Sequence, residues 1–272
     1  MEAIENAFSK IGSRVRVVPF PTVRRSVVPS IGRNGAVAVP ARLQVNVSRD
    51  SKGEFFQITL NGPVALQVMN MDRASKHLLL FARDTDNEKY RYLCGHDERG
   101  LFAAAVPSAV SNVVAAMEAL KPEPVIQSQV SMTAAKRNKR RNRAFRRQGE
   151  WYFVPAPALN PDRKFVRLNE PIRRGRSRPH IVEELFRHGG ETVYVCRKHP
   201  NGLAEKAYRR LLQEDPAARR WGWTIMRRNM DVFGRGKVTH PDHKTIVLSG
   251  WHRIFPNRES DAWFIETLVF LD

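Results

Sequence analysis

Five of the eight histidines fall in two groups of the C-terminal half, His180 and His188 in one segment and His240, His243 and His252 in another. Neutral imidazole suits zinc, iron and manganese alike, and one carboxylate can complete such a ligand set. Glu184 lies midway between His180 and His188, in a segment that opens at Pro179 and closes at Gly189. Pro at the start and Gly past the end are helix boundaries, so the spacing predicts a helix over 179–188 with His180, Glu184 and His188 along one side. His240-Pro241-Asp242-His243 follows a predicted strand, with His252 on the next. A fold that converged these groups would make His180, Glu184, His240 and His243 a candidate site for a divalent metal such as zinc or manganese. The competing reading is a set of hydrogen-bonded surface histidines, since the spacing matches no H-E-x-x-H type motif. Without metal, protonation below roughly pH 6.5 would turn these imidazoles into extra positive charge for phosphate.

Anion binding is the second chemistry on offer. Eight of the twelve residues from Lys136 to Arg147 are basic (Lys136, Arg137, Lys139, Arg140, Arg141, Arg143, Arg146 and Arg147), with no acid among them. Ala134, Ala135 and Ala144 favour helix and Gly149 is the first breaker, which predicts a helix charged around its circumference, mobile alone and ordered by a polyanion. A solubilising linker is the bland alternative. Four arginines, Arg173, Arg174, Arg176 and Arg178, sit in a Gly/Ser context just before His180. Arg209, Arg210, Arg219, Arg220, Arg227 and Arg228 recur around Trp221 and Trp223, where guanidinium and aromatic faces could stack unpaired bases. At least one of those tryptophans is expected in a core. A net charge of +19 spread over the whole chain fits phosphate neutralisation better than a single basic tail would.

The elements that would have to position these groups read as two β-rich parts. Residues 1–122 open with an amphipathic helix carrying Ile4, Phe8 and Ile11, not a signal peptide, and continue as short strands of an antiparallel sheet, with a closing helix from Ser108 to Leu120 that stops at Lys121-Pro122. Residues 123–150 are linker and basic helix. Residues 151–272 alternate as several short strands, including Trp263–Phe270, with helices near 179–188 and 203–215, which suggests a small barrel or sandwich. The fold class is therefore α+β: two β-rich domains with short helices, joined by a basic helical linker. Cys94 and Cys196 are too few for a disulfide framework or a cysteine zinc site and read as reduced, buried thiols of a cytoplasmic protein. Cys94-Gly95-His96-Asp97-Glu98-Arg99 puts a thiol beside an imidazole, but a nucleophile needs its base across space, so Asp97 and Glu98 are expected to pair with Arg99 or His96 or to cap the turn. No stretch approaches the roughly 20 apolar residues of a membrane span, and no membrane partner is expected.

Leu93-Cys94-Gly95-His96-Asp97-Glu98-Arg99, then Arg147-Gln148-Gly149-Glu150-Trp151, then His240-Pro241-Asp242-His243-Lys244-Thr245-Ile246-Val247-Leu248 followed by Trp251-His252, resembles a family of uncharacterised bacterial proteins. The resemblance implies no activity and assigns no catalytic residue. From the residues, the leading expectation is a nucleic-acid-binding protein, RNA ahead of DNA, that contacts phosphates through the basic helix and the arginine-rich loops. A metal-dependent enzyme acting on nucleic acid or nucleotide through the His/Glu cluster is the second reading. A structural component of a ribonucleoprotein assembly, in contact with its other proteins, is the third.

Overall fold

A computed structural model describes residues 1–19, 43–97, 100–173 and 178–258. Among these, Met1–Lys121 with Arg258 form one compact unit and Pro122–Asn257 a second. Residues 123–150, read from sequence as a linker, are thus part of the second unit. Arg174, Arg176, Glu98, Arg99, residues 36–42 of a strand expected from sequence at Ala36–Val47, and the strand expected at 263–270 lie outside the described residues.

The first unit runs α1 (Glu2–Lys10), β1 (Val15–Pro19), β2 (Leu43–Asp50), β3 (Gly53–Leu60), β4 (Val64–Asp72), β5 (His77–Asp84), β6 (Lys89–His96), β7 (Leu101–Ala105) and α2 (Val113–Ala119). It holds two sheets where one antiparallel sheet was expected. Strands β1, β3 and β2 form the smaller, in that order, with β1 parallel to β3, while β4 to β7 form an antiparallel meander. Strand alternation explains the layering. Leu78, Leu80 and Ala82 of β5 face a core shared with Ile4 and Phe8 of α1 and Phe56 and Ile58 of β3. Leu79 points the other way, into a second core with Leu93, Val113, Ala116 and Leu120. Helix α2 covers that face, and Asn112 caps it by accepting from the Ala115 amide at 2.8 Å.

The second unit continues with α3 (Glu123–Ser128), α4 (Ala134–Arg137), β8 (Arg146–Gln148), β9 (Trp151–Pro155), β10 (Val166–Ile172), β11 (His180–His188), β12 (Glu191–Cys196), β13 (His199–Ala204), α5 (Glu205–Glu214), β14 (Thr224–Arg228), β15 (Asp231–His240) and β16 (His243–Pro256). Six strands make an open antiparallel sheet in the order β10-β11-β15-β16-β9-β8, and β13-β12-β14 make a separate small sheet. Among the described residues no barrel closes. Trp151, Phe153, Ile172, Val182, Leu185, Val238 and Leu248 form the core of the large sheet.

Two expected helices are corrected here. Residues 180–188 are strand β11, not helix. A spacing of four is degenerate, close to one helical turn but also two strand repeats, and β-branched Ile181 and Val182 with Phe186 favour the strand between β10 and β15. The basic run is helical only to Arg137. Beyond it Asn142 accepts from the amides of Ala144 and Phe145 at 2.9 and 3.0 Å, a side-chain-closed turn that drives Ala144 and Phe145 into a core with Val125, Met132 and Tyr152. Apolar burial and that turn outweigh a helix whose like charges repel.

Candidate functional site

Three strand ends bring histidines together. Pro241 and Asp242 are the two-residue loop of the β15–β16 hairpin, and His240 pairs with His243 across its mouth. Pro is favoured at the first turn position, where its fixed φ fits. Strand β11 lies on the other side of β15 with Ile181 opposite Thr239, so His180, one step further, reaches the same end of the sheet. The rings stack: His180 lies 4.2 Å from His240 and 5.3 Å from His243, centroid to centroid, with interplanar angles of 24° and 18°. His240 and His243 are 4.6 Å apart. One nitrogen from each of the three falls within 4.8 Å of the others.

The surroundings are asymmetric. His180 is only 1% exposed, and neither of its ring nitrogens has a hydrogen-bond partner among the described residues. A buried polar atom left in that state costs about 1–3 kcal/mol. Trp151 meets the His180 ring edge-on at 6.4 Å. Burial, and then the nearby His240 and His243, push the His180 imidazolium down to a pKa of about 3. The ring is therefore neutral at physiological pH, and the expected gain of positive charge below pH 6.5 does not extend to it. His240 is more exposed and held by backbone, its Nδ1 accepting from the Asp242 amide at 3.1 Å and its Nε2 lying 3.3 Å from the Arg178 carbonyl.

The β8–β9 turn reaches the same place. Gly149, at φ +56°, is the first residue of the Gly149-Glu150 loop between paired Gln148 and Trp151, a turn position that demands positive φ. A β-carbon there would lie 2.7 Å from His243 Nε2 and 3.3 Å from His180 Nε2, so both nitrogens point at a space that glycine leaves open. Gln148, fully buried, clamps the hairpin from inside by donating to the carbonyls of Val238 and Lys244 at 3.1 and 2.7 Å.

Of the four expected ligands, the three histidines converge and Glu184 does not. Its carboxylate is paired with Arg235, which holds it below the usual carboxylate range, and Arg235 in turn covers Trp251 at 4.9 Å. His188 is exposed against Phe186, and buried His252 bonds the Gly250 carbonyl at 2.7 Å. Neither belongs to the cluster. Gly149 and Gln148 were not among the expected site residues, and the polar Arg146-Arg147-Gln148 before the glycine left the hairpin without an apolar run on that side.

The basic residues take two roles. Arg137 donates to the Met132 carbonyl at 2.9 Å, Arg143 to that of Ser131 at 3.1 Å, Arg147 to that of Gly149 at 2.8 Å, and Arg146 to that of Val247. Arg140 is part-buried, and that burial, followed by the nearby Arg147, brings its pKa down to about 10. Lys136, Lys139, Arg141 and Arg143 are exposed, as are Arg173 and Arg178, the latter 3.5 Å from Asp242.

A second constellation lies on the small sheet and α5. Tyr194 of β12 and Tyr208 of α5 stack at 3.9 Å and 5°, Tyr208 meets Trp223 edge-on at 4.9 Å, and His199 stacks at 5.5 Å on Trp223 and 5.9 Å on Trp221. Lys198 Nζ sits 3.6 Å over the Trp221 ring. All five rings are half-buried and neither tryptophan is fully buried in a core; Gly222 adopts φ +66° between the two tryptophans, whose rings lie 6.2 Å apart. Trp223 is the anchored one, its Nε1 donating to the Ala218 carbonyl at 2.7 Å. Arg197, Lys198, Arg219, Arg220 and Arg227 are exposed around the group. Sequence reading marked Trp221 and Trp223 but missed Tyr194, Lys198, His199 and Tyr208, which tertiary pairing alone brings in.

The described residues contain no helix long and apolar enough to cross a membrane. Compared with protein-family models, curated proteins and solved structures, the chain matches none.

Proposed function

We propose that this protein binds single-stranded nucleic acid, RNA ahead of DNA, through the aromatic and basic face of its small C-terminal sheet. The observation that carries the reading is the half-buried ring group Tyr194, His199, Tyr208, Trp221 and Trp223 among exposed Arg197, Lys198, Arg219 and Arg220. Helix α5 buries none of its residues, so these rings are not the inner layer of a thick core. Aromatic faces beside guanidinium and ammonium groups stack bases without regard to sequence while the cations follow the backbone. Exposed Lys136, Lys139 and Arg141 of the basic run, and Arg173 and Arg178, contribute further phosphate contacts in this reading. A cytoplasmic setting goes with it, in keeping with the free, buried thiols of Cys94 and Cys196.

The test is binding of fluorescein-labelled single-stranded RNA to the full chain across a salt series. Each single-strand phosphate contact contributes about −0.7 to the log–log slope, so replacing Arg219 and Arg220 with Gln flattens it by about 1.4 if both touch phosphate. Trp221→Ala removes one stacking platform, worth about 1–3 kcal/mol, or roughly 5- to 150-fold in Kd, while leaving the salt slope unchanged. Affinity and slope indifferent to all three substitutions would take this face out of the binding surface.

A further inference from the structure

We propose that His180, His240 and His243 hold one divalent transition-metal ion of the zinc type, with a fourth position left to water or an anionic oxygen. Convergence comes first: three imidazoles from three adjacent strand ends, 63 positions apart in sequence at the extremes, place a nitrogen each within 4.8 Å of the others. The second observation is independent of it. His180 is 1% exposed, lacks any hydrogen-bond partner at either nitrogen among the described residues, and aims Nε2 at the Gly149 side, where His243 Nε2 also points. Buried imidazoles are ordinarily hydrogen-bonded, and ligation by a metal satisfies such a nitrogen equally well.

The donor set selects the ion. Three neutral nitrogens without a carboxylate disfavour magnesium and calcium and suit zinc or its imidazole-binding neighbours, with an open position that three protein ligands leave. Glu184 is held by Arg235, and Asp242, on the turn, lies beside Arg178. Tetrahedral bonds of about 2.0–2.1 Å require nitrogens roughly 3.3–3.4 Å apart. The rings must therefore close by at most roughly 1.5 Å from their 4.8 Å limit and turn out of their stack, a rotation about a soft terminal torsion. His240 must give up one of its two backbone contacts, at 3.1 and 3.3 Å, to do so. Gly149 makes room, because it sends no side chain of its own towards the two imidazole nitrogens.

The experiment uses full-length protein without a histidine tag, stripped with chelator and exchanged into metal-free buffer at neutral pH. Titration with zinc in a calorimeter, and with cobalt(II) followed by its visible absorption, is expected to give one ion per chain and the intense bands of four-coordinate cobalt. His180→Gln, His240→Gln and His243→Gln should each weaken zinc binding at least 100-fold, with far-ultraviolet circular dichroism confirming the fold. X-ray absorption on the wild-type zinc complex adds a readout that needs no variant: three imidazole shells with nitrogen at about 2.0–2.1 Å. No stoichiometric uptake, a metal shell without imidazole, or variants that keep wild-type affinity would overturn the site. None of these measurements involves nucleic acid, so the metal site and the aromatic binding face stand or fall separately.

Discussion

Gly149→Ala isolates the contact between the β8–β9 turn and the histidine stack. Two costs combine at this position. The backbone cost comes from φ +56°, where a β-carbon is strained by about 1–2 kcal/mol. The packing cost comes from a methyl group 2.7 Å from His243 Nε2 and 3.3 Å from His180 Nε2, separations that force the rings or the turn to move. Overfilling a packed site costs typically about 1–3 kcal/mol. Gly189→Ala supplies the control, since Gly189 has φ +72° but nothing within 4 Å of the added carbon, and so carries the backbone cost alone. Urea unfolding monitored by tryptophan fluorescence should give a loss of about 1–2 kcal/mol for Gly189→Ala and about 2–5 kcal/mol for Gly149→Ala, with m unchanged in both. The difference between the two measures the cost of displacing imidazoles. Equal losses would refute the reasoning, since the turn would then not press on the cluster at all.

Other outcomes follow from the packing and from one half-buried imidazole. Trypsin should spare Arg140, Arg143, Arg146 and Arg147 in the free protein, because the segment is anchored by buried Ala144 and Phe145 and by strand β8; rapid cleavage there, shown by mass spectrometry of early fragments, would contradict that anchoring. His96 is held below its ordinary pKa first by burial and then by the charge of Lys76. Its unfolded form takes up a proton near 6.5 while the folded form resists, so the unfolded state binds more protons just below that pH and stability rises with pH there. The contribution is complete above about pH 6.5 and is lost on acidification, and His96→Gln should make the fall in urea midpoint between pH 7 and 5 shallower; an unchanged profile would rule out a depressed His96.

How far the site could be read from the chain depended on which period governed each segment. Segments such as Glu54–Leu60 and Thr224–Arg228 were legible as strands from their β-branched and aromatic residues rather than from strict alternation, and they lie within or match the observed elements. The segment around His180 was legible in its residues but not in its conformation, because a spacing of four fits one side of a helix and of a regular strand alike; in β11 the register shifts between Val182 and Glu184, and Val182 and Leu185 both enter the core, so that simple alternation breaks before Glu184. The convergence of His180 with His240 and His243 then rests on β15 pairing with β11 on one side and β16 on the other, a long-range register that no local pattern encodes. Glu184 fails as a ligand for the same reason, since strand pairing sets Arg235 opposite it and an arginine within reach outcompetes a distant imidazole for a carboxylate. The basic run misled more deeply. Helix propensity and charge were summed over 136–147 as if the segment stood alone, whereas Phe145 packs edge-on to Tyr152 at 5.2 Å and Asn142 closes a turn before it. Two apolar residues among eight cations thus decide the conformation, and Arg137, Arg143, Arg146 and Arg147 each bond a backbone carbonyl. Charge density marked this segment as the binding surface, but a cation already bonded to backbone must break that contact before it can meet phosphate. The rings around Trp221 are half-buried among exposed Arg197, Arg219 and Arg220, and they join stacking surface to cations that lie outside the turns of the basic run.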